Sequence, residues 1–559
     1  MKKFKFILIL ISFFACSQSY SAIFYVGNGA QCNVNSLSLA LLGAIINGDE
    51  SDEIRLTNSV NYTGQTNGSY TLSGFNSKAN GDLSIIGGYE TCTSADSSGM
   101  TLIGENQELN PIFDIKNESV VLLQNIQVTE SDSTGISVQE ASILVLQSST
   151  VDNNDDSGIS VFGGSGAIID SGSLITENGS DDGVLVDNGG GIRCTGNSYI
   201  AIQGDLLSNY AYTGGNMYID SGCFVSLQTG SSVSYGQADS GAGVYVGNGG
   251  ELNANGDSGR ISFSANIADN GGAIYVEGTG KATLTNAFID ANVARIKGTG
   301  LYASNGGSAE LQVIMDRNSN CNTTSCSEFK ENEIRDNLIY ISGSKVRISR
   351  TIIQDNYFNN NTVPTETHSL IEVKNNGLLE MEYSSMVKNK INYLIYNRGD
   401  SELSHITALG NYYPAEITGN YDSYIWLRAS GNLRIENSLL VGTQGGQNAP
   451  NTSSIISGKC NLIDNNYDWP DNSYIFGQVI FTNLTTGRQS SSSDGVDMCL
   501  RNTFPWTSSR DIEYQIAPIN ETTNPQGFPG EIGGFFDAGF DEVFDNVGSI
   551  ELIFKNGFE

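Results

Sequence analysis

Histidine is almost absent from this chain: His368 and His405 are the two in 559 residues. So few histidines argue against a mixed Cys/His metal cluster, and no cysteine pair has a zinc spacing. Basic residues are scarce too, 28 Lys and Arg against 61 Asp and Glu, for a formal charge of −33. That deficit makes nucleic acid a poor partner and disfavours anionic lipid surfaces and polyuronates, unless a divalent cation bridges the like charges. No stretch of the repetitive region sustains a 3.6-residue hydrophobic period, which excludes the helical repeat folds. Beyond the N-terminal segment no stretch is apolar enough to cross a bilayer as a helix, so no transmembrane span is expected.

Residues 1–21 carry Lys2, Lys3 and Lys5, an apolar core from Phe6 to Ala15, and small residues ending Ser19-Tyr20-Ser21. This reads as a secretory signal peptide cleaved before Ala22. Cys16 after Ala15 also suits a lipoprotein cleavage site, but Phe13 does not fit one. Losing the signal removes three lysines and no acid, so the mature chain is more acidic still. Eight cysteines remain, Cys32, Cys92, Cys194, Cys223, Cys321, Cys326, Cys460 and Cys499. An even number in an exported chain implies disulfides. Cys194 and Cys223 lie about one coil apart, Cys321 and Cys326 would close a small loop, and Cys32–Cys92 and Cys460–Cys499 would staple the two ends.

What is abundant is a beat. Gly followed by a β-branched or apolar run recurs roughly once per 25 residues: Gly135-Ile136-Ser137-Val138, Gly158-Ile159-Ser160-Val161, Gly183-Val184-Leu185-Val186, Gly191-Ile192-Arg193-Cys194, Gly243-Val244-Tyr245-Val246, Gly272-Ala273-Ile274-Tyr275-Val276 and Gly300-Leu301-Tyr302-Ala303. A second beat places Asn three residues after an apolar residue: Val151/Asn154, Ile175/Asn178, Leu206/Asn209, Phe263/Asn266, Ile289/Asn292, Met315/Asn318, Ile353/Asn356 and Met386/Asn389. A strand–turn–strand unit this short cannot bury its own apolar face, so neighbouring units must stack. The expectation is an all-β solenoid, a right-handed single-stranded parallel β-helix. Gly would supply positive φ at the corners, and Asn would tolerate the left-handed region while its amide bonds the Asn one coil away.

Asn35 caps an expected helix with Leu37, Leu41 and Ile45 on one face, a lid over the first coil, followed by a strand at Glu53–Thr57. The organisation expected is a signal peptide at 1–21, a cap and first coil at 22–82, repeats at 83–440, and irregular final coils with a C-terminal cap at 441–559. Later strands are headed by Ile339, Ile371, Ile395 and Ile425, and residues 316–335 read as an insertion. Strand material returns at Cys460-Asn461-Leu462-Ile463 and Tyr474–Asn483, and the terminal run Ile550–Glu559 reads as a last strand or a sorting tag.

Phe263-Ser264-Ala265-Asn266 followed by Gly271-Gly272-Ala273-Ile274 resembles the FxxN and GGA[ILV] repeats of the polymorphic outer-membrane proteins. Those are surface adhesins with β-helical passengers. Arg510-Asp511-Ile512 with Asp537-Ala538-Gly539-Phe540-Asp541-Glu542 resembles the closing segment of exported bacterial β-helix proteins of the pectate-lyase-like superfamily. The resemblance implies a secreted or outer-surface location. Too little chain follows the repeats for a C-terminal membrane barrel, so self-export as an autotransporter is not expected.

Enzymes share this fold, so the chain's acids and bases bear on catalysis. Polygalacturonases combine neighbouring aspartates with a Gly-His-Gly segment, and neither histidine here lies in one. His405 reads as a surface or ladder residue. The basic cluster Lys345, Arg347 and Arg350 places its first two members on one strand face, the arrangement a lyase base would need. Asp155-Asp156 and Asp181-Asp182 occupy similar phases of consecutive coils. With Asp132 they would form an acidic column that structural Ca²⁺ would relieve, or else turn residues pointing into water. Tyr210 and Tyr212 are further aromatics, and Tyr218, Tyr245, Tyr275 and Tyr302 recur once per coil. They form either an exposed stripe suited to a glycan or a surface protein, or an aromatic ladder inside the coil. The function expected is non-catalytic binding or adhesion by a monomer without a cofactor, and the alternative is a polysaccharide lyase or glycoside hydrolase.

Overall fold

The computed structural model describes most of residues 22–441. Within that span the longest stretches outside the described residues are 313–326, 359–367 and 412–425, and beyond 441 only short strands are described. The chain divides into two compact units, residues 1–178 with 198–200, and residues 179–197 with 201–559.

In the first unit each coil contributes strands to three parallel columns. Ile136 lies opposite Phe113 and Ile159 in one of them, and Leu144 lies opposite Val121 and Ala167 in another. Thr150–Asp152 pairs with Ile126–Ser131 and Leu174–Thr176 in the third. Because parallel strands stack in register, like residues meet like. Val121, Leu123, Leu144, Leu146 and Ile169 therefore line a continuous interior. The helix Leu37–Asn47 packs Leu37, Ala40, Leu41 and Ala44 inward, whereas Ile45, expected on that face, is exposed with Leu39, Leu42 and Ile46. Its cap is Ser36, whose hydroxyl accepts from the Leu39 N–H, and not Asn35. Cys32 and Cys92 form a disulfide in this unit.

Coils of the second unit add a fourth, short face. A full turn runs Val244–Val246, Glu251–Asn255, Ile261–Ser264 and Ile267–Asn270. The short face comprises Gln237–Ser240, Ile267–Asn270, Val293–Lys297, Glu333–Ile334 and Tyr357–Phe358. Small residues, Ala238, Ala242 and Ala268, let it close on the rest of the coil. Cys194 and Cys223 form the disulfide of this unit. Cys321, Cys326 and Cys460 lie outside the described residues, and only the backbone of Cys499 is described. Parallel pairing continues past 440 through Asn461–Ile463 to Tyr474–Phe476. Each unit is thus a parallel β-helix.

At Gly135 and Gly191 the two sequence beats meet in one contact, whereas Gly272 lies against the Thr299 and Val293 carbonyls and Gly300 against Phe329. Gly135, Gly191, Gly243, Gly272 and Gly300 are needed for space, not for positive φ. A Cβ on Gly135 would meet Asn154 Nδ2 at 2.8 Å, and one on Gly191 would meet Asn209 Nδ2 at 2.9 Å. Nor is the ladder Asn the left-handed residue. The residue before it takes that role, at Glu177, Ser208, Ala265, Ala291, Glu331, Asp355 and Lys388. In the second unit Asn266, Asn292, Asn332, Asn356, Asn389 and Asn411 form an unbroken buried column, each Nδ2 donating to the next Oδ1 at 2.8–3.1 Å.

Two expected positions move. Asn332 fills the slot assigned to Asn318, because Phe329 and not Met315 lies opposite Ile289. The insertion therefore ends before Ser327. Ile395 pairs with Leu427, not with Ile425.

Candidate functional site

The tyrosines stand on the strands that open each coil of the second unit. Met217-Tyr218-Ile219, Val244-Tyr245-Val246 and Ile274-Tyr275-Val276 alternate, and the aliphatic residues on either side are fully buried. Period-two alternation then forces the rings outward. The ladder is real but lies outside the coil. Register places Arg193, Tyr218, Tyr245, Tyr275, Tyr302, Tyr340, Glu372, Tyr396 and Arg428 in one column.

Five consecutive rings stack. Centroid separations are 5.1, 5.3, 4.4 and 4.8 Å from Tyr218 to Tyr340, with interplanar angles of at most 27°. Tyr340 was missed because the insertion stretches the interval after Tyr302, yet Ile339-Tyr340-Ile341 repeats the pattern of Ile274-Tyr275-Val276. Tyr210 and Tyr212 stand apart from this column. Each ring face inside the stack is covered by its neighbour, so the faces that would receive a sugar are occupied. Tyr245 and Tyr340 are buried and Tyr218, Tyr275 and Tyr302 half-buried, so the ring edges reach solvent only in part. At one end Lys297 Nζ lies 4.4 Å and Lys374 Nζ 5.8 Å from the Tyr340 centroid. At the other, the exposed Arg193 is the register neighbour of Tyr218.

Carboxylates run beside the hydroxyls. Tyr218 donates to Asp220 at 2.8 Å, and Tyr245 and Tyr275 both donate to Glu277, the latter at 3.2 Å. Burial, reinforced by these acids, raises the pKa of Tyr218, Tyr245 and Tyr275 well above the ordinary tyrosine value. The hydroxyls therefore stay protonated.

The acidic column is only partly visible. The Asp155 N–H donates to Ser131 O and the Asp156 N–H to Ser133 O, which places this pair over Asp132. Asp132 and Asp155 face solvent, and Asp156 accepts from Thr134 at 3.1 Å. Asp181 and Asp182 lie outside the described residues, and among the described residues no three His, Cys, Asp or Glu side chains gather to hold a metal.

The basic cluster is distributed. Lys345 pairs with Glu380 at 2.6 Å and Arg347 with Glu382 at 3.4 Å, while Arg350 is buried at the bend. His405 lies on the strand Asp400–Leu409, as expected, at a left-handed bend within it, and is 1% exposed rather than at the surface. Burial lowers its pKa to about 3, so the ring is a neutral interior group. His368 is also buried, stacked on Phe358 at 4.3 Å. Neither histidine is placed to act on a surface substrate.

One acid pair escaped the sequence reading. Burial first, then Glu331, push the Asp290 carboxyl up to about 6, against the pull of Lys330. Nearby Glu328 pairs with Arg260 at 2.7 Å and accepts from Gln354 at 2.6 Å. No spacing marks such a pair, since register alone brings 290 and 330 together.

Fold and face define the class, a parallel β-helix carrying a solvent-side aromatic ladder. No protein-family model matches the chain, and no curated protein matches it in sequence.

Proposed function

We propose that this is an exported binding or adhesion protein, secreted or held at a bacterial surface, that engages a glycan or a surface protein through its tyrosine face without turning it over. The observation that carries the reading is the five-ring stack with the Asp220 and Glu277 carboxylates along its hydroxyl edge. With the hydroxyl protons of Tyr218, Tyr245 and Tyr275 given to these carboxylates, such an edge offers a row of acceptors on a rigid support. Two lines support export: the signal-like segment 1–21 and the two disulfides. With the ring faces covered, recognition runs through hydrogen bonds to hydroxyl-bearing or cationic groups, and the −33 charge selects against acidic polymers.

A glycan array probed with the wild-type chain, with Glu277→Gln and with the Tyr245→Ala/Tyr275→Ala double variant tests this. Binding that weakens in both variants is expected. Unchanged binding in both removes the tyrosine face from the function.

Asp290 favours the second reading, a glycoside hydrolase. A carboxyl raised to about 6 near the Glu328 carboxylate, which pairs with Arg260, sets two acids in unlike environments, as such an enzyme needs. New reducing ends or unsaturated products from a panel of neutral and acidic glycans, abolished by Asp290→Asn, would replace the binding reading with this one.

A further inference from the structure

We propose that Lys374 and Asn337 become joined by an isopeptide bond, with Glu372 as the proton carrier, so that two adjacent coils are covalently welded. The three residues lie on neighbouring strands, Asn337–Ser342 and Ser369–Lys374, next to the Tyr340 end of the aromatic stack.

Glu372 and Asn337 are both 0% exposed. Lys374 Nζ sits 2.5 Å from Glu372 Oε1, and Asn337 Nδ2 donates to Glu372 Oε2 at 3.0 Å. One buried carboxylate thus holds an amine nucleophile on one oxygen and an amide leaving group on the other. Asn337 Oδ1 accepts from the Gly298 N–H at 2.7 Å. That bond polarises Cγ and stands where an oxyanion would develop. The two contacts also fix the amide orientation, since only Nδ2 can donate to the carboxylate. Burial raises the Glu372 pKa, opposed by Lys374, which suits a group that must accept a proton and release it.

The step balances without a further reactant. Lys374 gives a proton to Glu372, and the freed Nζ lone pair forms a bond to Asn337 Cγ. The oxyanion on Oδ1 is held by Gly298 N–H while Glu372 passes the proton to Nδ2. The Cγ–Nδ2 bond breaks, Nζ keeps one hydrogen as the new amide, and the departing ammonia carries away the second proton as ammonium. Burial beside aromatic rings keeps water from competing for Cγ. A bond here adds a covalent tie between rungs otherwise joined by ladder hydrogen bonds, packing and ion pairs such as Lys345–Glu380.

Intact mass spectrometry of the purified, reduced full-length protein, with peptide mapping, decides the matter. Expected are a mass lower by one ammonia than the sequence requires and a branched peptide joining Lys374 to Asn337. Glu372→Gln and Lys374→Arg should restore the full mass. Separate, unmodified peptides after prolonged incubation overturn the proposal, as does ammonia loss without a branched peptide, which a succinimide would give. Should either variant fail to fold, the wild-type map alone still returns one of these answers.

Discussion

Two columns of identical side chains run through the second unit, asparagines inside and tyrosines outside, and they tolerate interruption differently. The inner column has an empty slot at Gly236, and it is filled: Asn216 reaches in, donates to Asn266 Oδ1 at 3.1 Å and accepts from Asn209 at 2.8 Å. A Cβ on Gly236 would meet Asn216 Nδ2 at 2.6 Å, so the glycine makes room for the replacement. The outer column breaks after Tyr340, where Glu372 takes the position and no tyrosine is borrowed. Each inner amide also satisfies a backbone group, as Asn292 does for Phe263 O at 2.8 Å. A gap there would orphan buried polar atoms, whereas a gap in the ring stack loses only contact.

Breaking the inner column should have the largest effect. Asn292→Ala orphans the Asn266 N–H and Phe263 O, and is expected to cost about 3 to 5 kcal/mol by denaturant unfolding. Tyr275→Ala removes two stacks and should cost about 2 kcal/mol, with a coupling to Tyr302→Ala of about 1 kcal/mol in a double-mutant cycle. If the outer column proved the costlier of the two, the comparison would fail.

The interior and the outer face should also separate by pH. His405 has a folded pKa of about 3 against an ordinary value of 6.5, so the unfolded chain takes up its proton first. Stability from this neutral interior site is present above pH 6.5 and lost as pH falls from there toward 3, and His405→Gln should flatten that limb of a pH–Tm curve. The tyrosines behave oppositely. Their folded pKa values lie above the ordinary 10, so their contribution holds below that pH and is lost as pH rises past it. A Tyr218→Phe/Tyr245→Phe/Tyr275→Phe variant should flatten the alkaline limb alone. The smallest effect expected is from Tyr275→Phe, which keeps the stack and loses one partly exposed hydrogen bond, about 0.5 to 1 kcal/mol on the same denaturation curve.

The parallel β-helix and the once-per-coil tyrosines were legible because a stacked coil repeats its demands, and residues such as Val244, Ile274 and Leu301 answer them at the same phase. The Cys194–Cys223 pair followed from coil spacing in the same way, and Cys32–Cys92 from an even cysteine count in an exported chain, as a staple at one end. The chemistry within the beat did not follow. Gly135 looks in sequence like a residue chosen for its φ, and only the nearness of Asn154 shows that it was chosen for its missing Cβ. The Asn318 and Asn332 alternatives are equal as patterns, and pairing of Phe329 with Ile289 separates them.

Periodicity is a property of the chain, so the sequence by itself determined that this protein winds into stacked parallel coils and which residue types recur on them. Tertiary structure alone decided which way the tyrosines face, that His405 is interior, and that Asn337, Glu372 and Lys374 meet. Those outcomes depend on register between strands far apart in sequence and on the space each coil leaves for the next, and neither quantity is written in any single repeat.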